Sequence, residues 1–86
     1  MITIISITKD PSYLGDMATE KDGITWANNA KTAIDNFVKT EYPDSDFQSR
    51  IVPEVQSVSN QSIGDFDILD DVEIFIEHNW TEWMPS

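Results

Sequence analysis

The residues that ask for a chemical explanation lie in DFDILDDVEIFIE, Asp65 to Glu77, where seven apolar residues are interleaved with six carboxylates. Carboxylates at this density can hold a hard cation, exchange protons in acid/base catalysis, or present a row of negative charge to a partner. An EF-hand calcium loop needs oxygen ligands at alternate positions, glycine at the sixth and glutamate at the twelfth. Counted from Asp65, the fifth position is Leu69, the sixth Asp70 and the twelfth Ile76, so the stretch does not match. Acid/base work needs a cleft that moves one carboxylate's pKa away from another's, and a solvated row supplies none. The electrostatic reading is left: Asp65, Asp67, Asp70, Asp71, Glu73 and Glu77 form a partner-binding surface. Asp44, Asp46 and Glu54 extend it, and Trp83 serves as a rim anchor, since Trp is enriched among binding hot spots.

Other chemistry finds little support. The chain has no cysteine, so no thiol nucleophile, disulfide framework or Cys-based metal knuckle can be built. The single histidine, His78, is expected on the apolar side of its element, where a lone His is a hydrogen-bonded core residue more often than a base. The three glycines, at 15, 23 and 64, form no phosphate-cradling loop. We therefore expect no catalytic residues, metal site or cofactor, and a protein that is not an enzyme.

The charge balance points the same way. Sixteen acids against five bases give a net charge of −11 over 86 residues, beyond the magnitude of roughly 2–8 that keeps a small domain soluble. Residues 1–50 carry eight acids and all five bases, whereas residues 51–86 carry eight acids and no base. Such self-repulsion opposes the compact state. It also argues against direct binding to nucleic acid, which requires a basic footprint. The opening MITIISITKD has neither the basic flank nor the cleavage site of a signal peptide and is too short to span a bilayer. A soluble, cytoplasmic protein is expected, in which the sequons at Asn60 and Asn79 carry no glycan.

One domain is expected over residues 1–86, with room for a single core. Met1 to Thr8 reads as a strand with apolar residues on both faces, hence a central one. KDPSYLGDMATEKDG reads as a loop, with at most a helical turn over Asp16 to Lys21. Apolar residues recurring in three- and four-residue steps predict an amphipathic helix over about 25–42, capped by Thr25 and ended by Pro43. On its outer face Lys31, Asp35 and Lys39 follow at four-residue spacing, with Asp35 to Lys39 in the favourable order for an intrahelical pair. Ile51 to Val58 reads as a weaker strand. From Asp71 to Trp80 strict alternation predicts a half-buried strand, with Val72, Ile74, Ile76, His78 and Trp80 on one face and Asp71, Glu73, Phe75, Glu77 and Asn79 on the other. The expected fold class is α+β in β-α-β-β order: a three-stranded, mostly antiparallel sheet covered on one face by one helix. Trp26 and Trp80 are expected to pack in the core.

On such a strand the acids would stand about 6.6–6.8 Å apart, a spacing of the same order as the roughly 3.4 Å of axis per phosphate along one DNA strand. In size, acidity, lack of cysteine and lack of catalytic motifs the chain resembles the small phage-encoded anti-defence proteins, anti-CRISPRs and restriction inhibitors that mimic DNA. The likeness rests on composition and on the acids from Asp65 to Glu77, and assigns no residue a role. It implies an inhibitor that occupies the basic DNA- or RNA-binding site of a bacterial nuclease complex. Two alternatives stand beside it: an immunity protein or antitoxin covering a basic toxin, and an assembly protein that oligomerises, as a homodimer for instance, through its open sheet face.

Overall fold

The computed structural model describes residues 2–53 and 62–85. Ile2–Thr8 forms strand β1, in which alternate residues Thr3, Ile5 and Ile7 are buried. A turn of 3-10 helix, Pro11–Tyr13, follows, with the Asp10 carboxylate accepting from Ser12 N at 3.0 Å. Helix α1 spans Glu20–Glu41. Its start is fixed by a reciprocal capping box: Asp22 N donates to the Thr19 hydroxyl at 3.2 Å, and Thr19 N donates to the Asp22 carboxylate at 2.9 Å. Gly23, Ala27, Ala30, Ile34 and Val38 form the buried stripe. A Cβ on Gly23 would lie 2.1 Å from the Lys9 carbonyl oxygen, so the absent side chain is what lets the first turn lie against the chain leaving β1.

Strand β2, Asp46–Val52, runs parallel to β1, in register from Ile2 opposite Asp46 to Thr8 opposite Val52. Parallel neighbours require a crossover connection, which α1 provides. On the other edge of β1, Ile4 and Ile63 exchange backbone hydrogen bonds of 2.8 and 2.9 Å in a single antiparallel bridge. Gly64, at φ 128°, then turns the chain against Thr3, where a Cβ would come within 2.5 Å of the Thr3 Cα. Helix α2, Phe66–Asn79, follows, and the 3-10 turn Trp80–Trp83 comes after it. One core forms between the sheet and the two helices: Ile5 and Ile7 from β1, Ala27, Ala30, Ile34 and Val38 from α1, Ile68 and Val72 from α2, and Trp83.

The expected sheet is therefore corrected. Among the described residues there are two α-helices and a two-stranded parallel sheet, not three mostly antiparallel strands under one helix. The error lies in Asp71 to Trp80. Alternation there is also compatible with the three- and four-residue steps Ile68, Val72, Phe75, Ile76 and Asn79, all wholly or partly buried. Burial follows the second pattern, leaving Ile74 outside at 52 % exposure. The Asp65 carboxylate caps the helix by accepting from Asp67 N at 2.8 Å, and Asp67 in the first turn complements the helix dipole. The cap of helix α1 lies six residues before Thr25, at Thr19, because Thr19 and Asp22 supply the capping box and Gly23 is tolerated for its close approach. The second strand starts at Asp46, inside the expected turn, and the predicted strand from Ile51 to Val58 falls mostly on 54–61, outside the described residues.

Candidate functional site

The carboxylates predicted as a strand face come together as the outer face of α2. Ile68 and Val72 point into the core, while Asp67, Asp70, Asp71, Glu73 and Glu77 are exposed, and Asp65 stands exposed at the N-cap. No lysine or arginine occurs in α2. Asp67 to Glu77 is ten steps of helix, about 15 Å at 1.5 Å per residue. Five carboxylates therefore share that length at roughly one per 3 Å of axis, against one phosphate per roughly 3.4 Å along a DNA strand. The helix packs the charge about twice as densely along its axis as the expected strand would, since a strand rises about 3.3 Å per residue.

Two exposed apolar residues interrupt this face. Phe66 is 80 % and Ile74 52 % exposed, eight residues and about 12 Å of helix apart. Strand alternation misses both: it turns Ile74 inward and sets Phe75 on the wet face, whereas Phe75 packs against the core. A helical projection finds Phe66 and Ile74, because both fall outside the arc defined by Ile68, Val72, Phe75 and Ile76. His78, expected in the core, is exposed on the same outer side.

The flanks are unevenly placed. The Tyr42 hydroxyl, just past the end of α1, donates to the Asp71 carboxylate. That hydrogen bond, followed by burial and then by the negative charges of Asp71, Asp67 and Asp65, pushes the Tyr42 phenol up to about 12. Tyr42 thereby remains a donor and fixes Asp71 against the α1–β2 turn, which carries exposed Asp44. Asp46, also exposed, opens β2 opposite Ile2. Glu54 lies outside the described residues. Trp83 is no rim anchor: it is 7 % exposed, in edge contact with Trp26 at 5.8 Å between ring centroids, and its carbonyl accepts from Asn29 Nδ2 at 3.1 Å. Trp80, expected inside, is 41 % exposed.

A second polar group sits between α1 and β2. Lys31 Nζ lies 3.0 Å from the Asp35 carboxylate and 2.8 Å from Ser49 Oγ, which in turn donates to Asp35 at 2.5 Å. The observed pair is thus Lys31 with Asp35, not Asp35 with Lys39, because buried Ser49 draws both charged groups toward the sheet. An ion-paired ammonium has no lone pair with which to take the serine proton, so this trio braces helix to strand and does not form a nucleophile and base. Among the described residues no three His, Cys, Asp or Glu side chains converge as a metal ion would require, and no helix is long and apolar enough to cross a membrane. No protein-family model, curated protein or solved structure matches the chain.

Proposed function

We propose that the protein is a non-enzymatic binding protein whose α2 outer face occupies the basic nucleic-acid-binding site of another protein, as an inhibitor of a nuclease complex would. The observation that carries this reading is one helix face that joins a phosphate-like density of carboxylates to two exposed apolar side chains. Solvation alone explains the acids poorly, because same-sign neighbours at three- and four-residue spacing destabilise the helix that holds them. It also leaves Phe66 and Ile74 unexplained. Apolar anchors set among charges are the layout of a protein interface, in which charge steers association and a few buried side chains hold it. An immunity protein or antitoxin facing a basic toxin would use the same face.

The test is capture from nuclease-treated bacterial lysate by immobilised wild type, by the D70N/E73Q/E77Q triple variant, and by Phe66→Ala. The captured protein should be released by added duplex DNA or RNA, and each variant should retain at least tenfold less of it. Equal capture by the variants, or capture indifferent to nucleic acid, overturns the reading.

A further inference from the structure

A pocket of about 220 Å³ lies between the loop after β1, the first turns of α1 and the C-terminal end of α2. Tyr13, Trp26 and Trp80 line it together with Leu14 and Ile76, and Asp10 is the one acidic residue beside them. It is smaller than the roughly 300–1,000 Å³ of a site for a drug-sized ligand, so it suits one compact group. Its walls offer almost no hydrogen-bonding capacity. The Trp26 indole N–H is already donated to the Trp80 carbonyl at 2.9 Å, and Asp10 Oδ1 already accepts from Ser12 N. A guanidinium or primary ammonium placed here would give up hydrogen bonds to water and find only the second Asp10 oxygen as an acceptor, too few for its several N–H donors. An anion would meet Asp10 and the field of a chain at −11.

A group that is cationic yet has no N–H to satisfy avoids both costs. It is also the kind of group that aromatic rings attract through their quadrupoles. We propose that this pocket binds a quaternary trimethylammonium group, held by Tyr13, Trp26 and Trp80 with Asp10 as the counter-charge. The pocket is open to such a ligand, with Tyr13 62 % exposed and Trp80 41 % exposed. The inference does not depend on the reading of the α2 outer face, whose variants leave these residues untouched.

The experiment is an NMR titration that follows the Trp80 indole N–H with choline and with its neutral carbon isostere, 3,3-dimethyl-1-butanol. A third arm uses a short peptide bearing trimethyllysine. Choline should bind about tenfold tighter than the isostere. Tyr13→Ala, a change at an exposed side chain that keeps the net charge, should lose most of that preference, and Trp80→Leu, followed through the Trp26 indole N–H, should do the same. Tighter binding of the peptide would assign the group to a protein side chain, and tighter binding of choline to a small molecule. Equal affinity for choline and isostere, no response to either, or an unchanged preference in Tyr13→Ala would overturn the proposal.

Discussion

If the outer face of α2 is shaped for a partner and not for the fold, relieving its charge should make the protein more stable and less able to bind. In the helix, Asp67 and Asp70, Asp67 and Asp71, Asp70 and Glu73, and Glu73 and Glu77 are same-sign neighbours three or four residues apart. Each such pair costs about 0.2–0.5 kcal/mol. The triple variant D70N/E73Q/E77Q removes three of the four, a gain of about 0.6–1.5 kcal/mol. It spares the capping carboxylate of Asp65 and the Tyr42 partner Asp71. Glu77 in the last turn also opposes the helix dipole, so its loss adds in the same direction. For a domain of this size about 1 kcal/mol corresponds to a melting temperature roughly 4–8 °C higher. Circular dichroism melts at low salt should show that rise. The rise should shrink in 1 M NaCl, where the screening length of about 3 Å is shorter than the 5–6 Å between neighbouring Cβ atoms. The decisive control is Asp70→Asn alone: in a helix it relieves two pairs, whereas in an extended strand Asp70 would face away from Glu73 and Glu77. No stabilisation by that single change would refute the helical charge geometry and the proposal built on it.

Three further outcomes are expected. The Tyr42 phenol ionises near pH 10 in the unfolded chain and near 12 in the folded one, so its contribution to stability is complete below pH 10 and is lost as pH rises from 10 to 12. Tyr42→Phe should flatten the fall in urea midpoint over that interval relative to wild type, and parallel curves would show that the phenol makes no such contribution. Gly23→Ala gains about 1 kcal/mol of helix propensity but sets a methyl 2.1 Å from the Lys9 carbonyl oxygen. Overpacking of that kind costs about 1–3 kcal/mol, and a lowered urea midpoint is expected where propensity alone predicts a raised one. Ser49→Ala removes the hydroxyl that joins Lys31 and Asp35 to the sheet. A loss of about 1–2 kcal/mol in urea unfolding is expected, and an unchanged midpoint would mean that the trio does not brace the fold.

The first strand, the long helix and the acidic character of the C-terminal third were legible because each rests on a pattern with one period. Ile5 and Ile7 alternate into the core, and Ala27, Ala30, Ile34 and Val38 recur on one helical stripe. The second helix was misread because Val72, Ile74 and Ile76 satisfy a period of two, and Ile and Val favour strands. Which period wins is settled by what the residues can bury against. That was not visible before α1 and β1 were placed, with Phe37 stacked on Phe75 at 4.3 Å between ring centroids. The parallel order of β1 and β2 was hidden for a related reason. A β-α-β run permits either pairing, and the strand at Asp46–Val52 begins among Asp44, Ser45 and Asp46, residues that by themselves signal a turn.

The correction alters the physics of the surface more than its membership. All six acids of the stretch from Asp65 to Glu77 remain outside, but a helix places five of them along about 15 Å, where a strand would spread them over about 33 Å. Shorter separation raises the repulsion each carboxylate feels from its neighbours, and with it the free energy released when a basic site neutralises them. A helix is also stiffer than an edge strand, so the charges are held in register before any partner arrives, which lowers the ordering cost of docking. The arrangement least favourable to the isolated fold is thus the more favourable one for capture by a cationic groove. That opposition is why stability and binding should move in opposite directions when the same three carboxylates are neutralised.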